Sequence, residues 1–184
     1  MSRRTRWILL VLVVVVVGGA AALVLTERPK LDDARTAVDD RWKPLRSPDQ
    51  LVLRYQTLQG ALSAFDAAGG SNRSVSKDLH AALAAWNRAL KDGDAGTQVE
   101  AANVVEAQAS RLVANALGSE RLRGVPAVTQ SLVQFSTAKP NLDLVSAYDR
   151  AVRAYEDERT GTWQRPVARV LGYRARPLLV LGGA

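Results

Sequence analysis

Hydrophobic and polar positions along this 184-residue chain follow two patterns. From Trp7 to Leu25 every residue is apolar or glycine. From Leu31 onward apolar residues recur every three or four positions with polar residues between them. The first pattern predicts a helix in lipid, the second a series of amphipathic helices that each bury one stripe. No stretch sustains the alternation of a half-buried strand.

Read element by element, a short helix spans Leu31 to Trp42, with Ala34, Val38 and Trp42 stacked at i, i+4 and i+8, and Pro44 ends it. Ser47 is placed as N-cap of the next helix, with Pro48 first inside and Gln50 completing a capping box. Leu51, Tyr55, Leu58, Leu62 and Phe65 form its seam, and Gly69-Gly70 terminates it. A third helix runs from Ser74 to Leu90 on Val75, Leu79, Leu83 and Trp86. After the turn Asp92-Gly93-Asp94-Ala95-Gly96, Thr97 and Glu100 read as a second capping box. Ala102, Val105, Ala109, Leu112 and Ala116 then carry a fourth helix to Gly118. A shorter piece after Pro126 holds Val128, Leu132 and Phe135, and a last helix after Pro140 holds Leu142, Val145, Tyr148, Val152 and Tyr155. Four long segments joined by short Gly, Pro and Asp turns predict an all-α fold, an antiparallel four-helix bundle behind one N-terminal transmembrane helix.

The apolar run is 19 residues long, 13 of them Ile, Leu or Val. As a helix it measures roughly 28 Å, close to the hydrocarbon thickness of a bilayer. Those 13 side chains favour insertion by about 4 to 8 kcal/mol. A cleaved signal peptide is the competing reading, with Ala20-Ala21-Ala22 as the cleavage site. The run continues past that site through Leu23, Val24 and Leu25, which favours a retained anchor. The expected organisation is a basic flank at 1–6, a transmembrane helix at 7–25, a short linker at 26–30, the bundle at 31–159 and a basic, apolar tail at 160–184. Arg3, Arg4 and Arg6 favour a cytoplasmic N-terminus, which puts the bundle outside the cytoplasm at the cell membrane. The alternatives are a cytoplasmic bundle, or secretion after cleavage.

Charge changes this picture little. The chain carries +7, but residues 1–30 hold +4 of it and the remaining +3 is spread over a surface of mixed sign. Nucleic-acid binding needs a concentrated basic stripe with stacking aromatics, so no nucleic-acid partner is expected. The chain has no cysteine and one histidine, which removes thiolate chemistry and leaves too few ligands for a zinc site. His80 has no nucleophile in a G-x-S-x-G elbow, and Asp92, Asp94 and Glu100 miss the calcium-loop spacing. No catalytic, cofactor-binding or metal residues are assigned, and no cofactor is expected. Two sets of contact candidates remain. In the tail, Arg165, Arg169, Arg174 and Arg176 face anionic headgroups while Trp163, Tyr173 and Leu178–Leu181 enter the interface; the competing reading folds the tail onto the bundle with its arginines in solvent. Tyr148, Tyr155 and Trp163 are candidate protein-contact residues, although their spacing with Val145 and Val152 also suits the core.

The order of these features resembles the LemA family of prokaryotic membrane-anchored helical proteins. After the anchor, Ala34-Arg35-Thr36-Ala37-Val38-Asp39-Asp40-Arg41-Trp42 is similar to the family's A-R-x-x-V-D-x-x-W stretch. Ala147-Tyr148-Asp149-Arg150-Ala151-Val152-Arg153-Ala154-Tyr155-Glu156 resembles its A-R-x-x-Y-N-x-A-V-x-x-Y-N segment, and Val170-Leu171-Gly172-Tyr173 with Arg176-Pro177-Leu178 resembles its closing residues. Asp149 and Glu156 stand where the family usually has asparagine, Pro44, Pro48 and Pro140 interrupt its long helices, and Leu53–Leu58 replaces its Arg-Arg and Pro-Asn-Leu-Val region. The resemblance implies a distant member: a single-pass anchor bearing an antiparallel bundle, with no established enzymatic activity. The family's bundle has also been placed in the cytoplasm, against the charge reading. The expected function is a membrane-anchored interaction or scaffold module without catalysis, its partners the bilayer and an unidentified protein. The alternatives are a self-associating structural membrane protein, able to form homo-oligomers, or a hydrolase-type enzyme with an unrecognised site.

Overall fold

The computed structural model describes residues 3–182, which form eight α-helices and no strand. Met1, Ser2, Gly183 and Ala184, the outermost positions of the basic flank and the tail, lie outside the described residues, as do the side chains of Arg3, Arg4 and Arg6. In chain order the helices are α1 (Arg3–Leu45), α2 (Leu51–Phe65), α3 (Ser74–Asp92), α4 (Ala95–Leu117), α5 (Glu120–Arg123), α6 (Pro126–Thr137), α7 (Leu142–Thr160) and α8 (Gln164–Leu171). A π-helical turn, Asp66–Gly70, extends α2, and Gly69 inside it takes a left-handed φ of 86°. Residues 173–182 run without helix or strand.

The linker expected at 26–30 is helix. α1 is one rod of 43 residues, about 64 Å long, that joins the apolar run to the folded body. Pro29 removes one helical hydrogen bond, the one to Leu25 O, and local pairs carry the helix across it. Lys30 bonds Glu27 at 2.9 Å and Arg28 reaches Asp32 at 3.5 Å. Leu31 is fully buried under α8, so tertiary packing holds the turn that the proline weakens. Pro44 likewise sits inside α1, which ends one residue later because Trp42 and Leu45 are locked in the core.

Both expected capping boxes are replaced. α2 begins at Leu51, and Ser47 donates its hydroxyl to Pro44 O instead of capping. Gln50 turns its side-chain carbonyl to the Asn141 N–H at 2.8 Å, so a bond to the start of α7 outweighs the local box. α4 begins two residues before Thr97, with Asp94 as N-cap accepting from the Thr97 N–H at 2.9 Å. A carboxylate suits the positive end of a helix better than a hydroxyl does.

α3 packs on α4, the second half of α1 on α7, and α2 on α6. One continuous core draws residues from α1, α2, α3, α4, α6 and α7. At its centre Trp42 meets Trp86 edge-on at 6.5 Å between ring centroids, Tyr55 meets Trp86 at 5.0 Å, and Trp42 meets Tyr148 at 5.4 Å. The Trp42 indole donates to Gln98 Oε1 at 2.7 Å, which satisfies its polar edge. A second, small cluster joins α8 to α1 through Leu31, Val167 and Ala168, with Leu23 and Val24 against it. Among the described residues α1 is the helix long and apolar enough to cross a membrane, a test that a signal sequence also passes.

Candidate functional site

The tail forms two distinct surfaces. Gly172 ends α8 with a left-handed φ of 74°, a conformation that glycine adopts without a Cβ penalty, and the chain turns back. Residues 173–182 then lie as an extended strap on α4 and α7. A strap with no ladder of its own must find partners for its peptide groups, and the two helices supply them from side chains. Tyr155 donates to Arg174 O and Tyr148 to Pro177 O, both at 2.8 Å. The N–H groups of Arg176, Leu179, Val180 and Gly182 donate to Glu156, Asp149, Asn103 and Glu106, at 3.0, 3.3, 2.8 and 3.0 Å. Asn103 also donates to Leu178 O at 2.8 Å. Asp149 and Glu156 therefore act here as acceptors for the strap.

Arg176 fastens this strap. The residue is 7 % exposed, and its guanidinium pairs with Asp94 at 2.7 Å and Asp39 at 3.3 Å, so one side chain ties the tail to the cap of α4 and to α1. Gly96 leaves space for it, since a Cβ there would meet Arg176 Nη1 at 2.5 Å. Partial burial pushes the Asp94 carboxyl up, but the Thr97 N–H and hydroxyl and the Arg176 guanidinium outweigh it and hold the group down to about 2.

These positions correct the expectations. Tyr148 and Tyr155 take the core places that their spacing with Val145 and Val152 suited rather than offering a partner surface: burial pushes both hydroxyls up, and each is used on the strap. Arg176 does not face headgroups, because two carboxylates hold it inside the fold. Tyr173 is half-buried and bonds Asp32. Leu179 is buried in the core and Leu181 packs against it, while Val180 is 63 % exposed, so the Leu178–Leu181 run lies on the body with alternate residues turned in, as the competing reading had it, though not with all the tail's arginines in solvent. Arg165, Arg169 and Arg174 are exposed, and Trp163 is 66 % exposed.

The second surface is α8. Val167 and Ala168 face α1, while Arg165, Pro166, Arg169 and Val170 face outward. Gln164 donates to Glu27 at 2.7 Å, and Glu27 is itself nearly buried there.

Polar groups elsewhere are arranged for cohesion. Arg54 and Glu106 form a fully buried, two-pronged ion pair at 2.7 and 2.9 Å; Arg54 also donates to Phe135 O and stacks on the Phe135 ring at 4.1 Å. The sequence held a signal for this pair: both residues fall on apolar stripes, Arg54 between Leu51 and Leu58, Glu106 between Ala102 and Ala109. Ser76 and His80 both bond Asp66, at 2.6 and 2.9 Å. The carboxylate sits between them, so the imidazole does not bond the hydroxyl and this is not a nucleophile–base arrangement. Among the described residues no three acidic or histidine side chains gather closely enough to hold a metal ion. No family model, curated protein or solved structure matches this chain.

Proposed function

We propose that this chain is a single-pass membrane-anchored interaction or scaffold module, LemA-like in plan, with no catalytic step of its own. One observation carries the reading: α1 continues unbroken from the exposed apolar run into the core, so the body is borne on the span by a rigid stalk. The arrangement we infer for 31–159 is an antiparallel bundle. Support comes from the two-residue connection at Gly93-Asp94 and from the pairings of α3 with α4 and α1 with α7. The basic flank favours a body outside the cytoplasm.

Of the protein-contact candidates Trp163 remains on the surface, and the proposed partners are the bilayer and one protein. Photo-crosslinking from position 163 of the full chain in its native membrane tests this. A product with a second protein species is expected. Products with further copies of this chain alone would replace the module with the self-associating structural reading, and no protein product would overturn both.

A further inference from the structure

We propose that α8 is an interfacial element that rests on the anionic lipid surface where α1 leaves the bilayer. The inference deepens the anchored reading above and rests on it. Position is the first argument. α8 packs on Leu23, Val24 and Leu31, which bracket the end of the apolar run. If the run occupies the hydrocarbon, α8 lies level with its boundary, held there by Gln164 on Glu27 and by Tyr173 on Asp32.

Composition is the second argument. A helix that buries one face on its neighbour ordinarily presents polar residues on the other. Here Trp163, Pro166 and Val170 fall at i, i+3 and i+7 on the outer side, with Trp163 66 % and Val170 78 % exposed, and Leu25, which follows Val24 on α1, is 75 % exposed. Tryptophan is the side chain favoured at the headgroup level, where its ring is apolar and its N–H is wet.

Charge is the third. Arg165 and Arg169, one helical turn apart, flank that apolar stripe. Together with Thr160, Tyr173 and Arg159, which Glu156 already pairs at 2.6 Å, they line an open depression, so Arg165 and Arg169 are the guanidinium groups offered to a phosphate there. Guanidinium groups pair with phosphate oxygens in a bidentate fork, and a lipid phosphodiester is the phosphate a surface at this depth meets. Arg176 takes no part, being held by Asp39 and Asp94.

The chain has no native cysteine, so a single introduced one can carry a polarity-sensitive fluorophore. Full-length Val170→Cys, Val14→Cys and Arg41→Cys are each labelled and reconstituted with brominated lipids, in phosphatidylcholine alone or with phosphatidylglycerol added. Position 14 reports the span. Position 41 is 16 residues beyond Leu25, about 24 Å further along α1, and reports the body. The label at 170 is expected to be quenched and blue-shifted in the anionic vesicles while that at 41 is not. Arg165→Glu with Arg169→Glu is expected to reverse the effect at 170, as is raised salt. An unquenched label at 170 beside a quenched one at 14 overturns the interfacial role and leaves the anchor standing. An unquenched label at 14 overturns the anchor and this inference with it. Quenching at 170 that is equal without phosphatidylglycerol and in the double variant overturns the assignment to anionic headgroups.

Discussion

Arg176 is the residue whose place was least legible in the sequence. Its neighbours are basic and apolar, and the local pattern suits a membrane surface. Its partners lie 137 and 82 positions away, on helices whose relative placement no spacing rule fixes. Charge-assisted hydrogen bonds contribute about 1.5 to 3 kcal/mol when dry. With Asp94 half-exposed and Asp39 one-third exposed, solvent brings the contribution of the clasp nearer about 1 kcal/mol. Arg176→Gln is therefore expected to speed amide exchange at Leu179 and Val180 roughly five-fold, leaving α3 amides unchanged. Acid acts on the same clasp. The Asp94 carboxyl is depressed in the folded state, so its contribution is complete above the ordinary carboxylate range and is lost as pH falls through about 2. Strap protection should hold from neutrality to about pH 4 and decline below it. Tyr148 and Tyr155 show the other side of legibility. Their spacing with Val145 and Val152 marked them as core, but the acceptors of their hydroxyls lie on an extended strap that has no periodicity to read.

Among elements, the amphipathic helices were the most legible, because burial of one stripe imposes the 3.6-residue period directly. Their starts were less so. Ser47 and Thr97 are good local caps, but Gln50 finds a distant N–H and Asp94 offers a charged acceptor. The unbroken α1 was missed for a similar reason: Pro29 and the charged residues around it mark a break locally, and local ion pairs together with the packing of α8 on Leu31 hold the rod across it. Deleting that packing should matter locally. Leu31→Ala is expected to cost about 2 to 3 kcal/mol in the docking of α8. The readout is exchange at Val167 and Ala168, which should quicken far more than exchange in α2, since Leu31 lies in the small α8 cluster and not in the central core. Equal quickening in both helices would show that the two clusters unfold as one.

At the scale of the whole molecule, three layers follow from one arrangement. Among the described residues of the apolar run, Leu23 and Val24 pack on α8, whereas Val13 through Val17 are all more than half exposed, the state of a helix face that a bilayer would cover. The body buries its aromatic centre around Trp42, which belongs to the same helix. The strap lies on α4 and α7, and α8 packs separately on the middle of α1. The apolar run and the body therefore share one helix. Cleavage after Ala22 would take away most of the run and leave Leu23 and Val24 at a new N-terminus beside α8. The most direct measurement is the intact mass of the chain kept in membranes after a carbonate wash. A retained chain with residues 1–25 still attached is the predicted result. A chain released by the wash, or one whose mass begins at Leu23, contradicts the account.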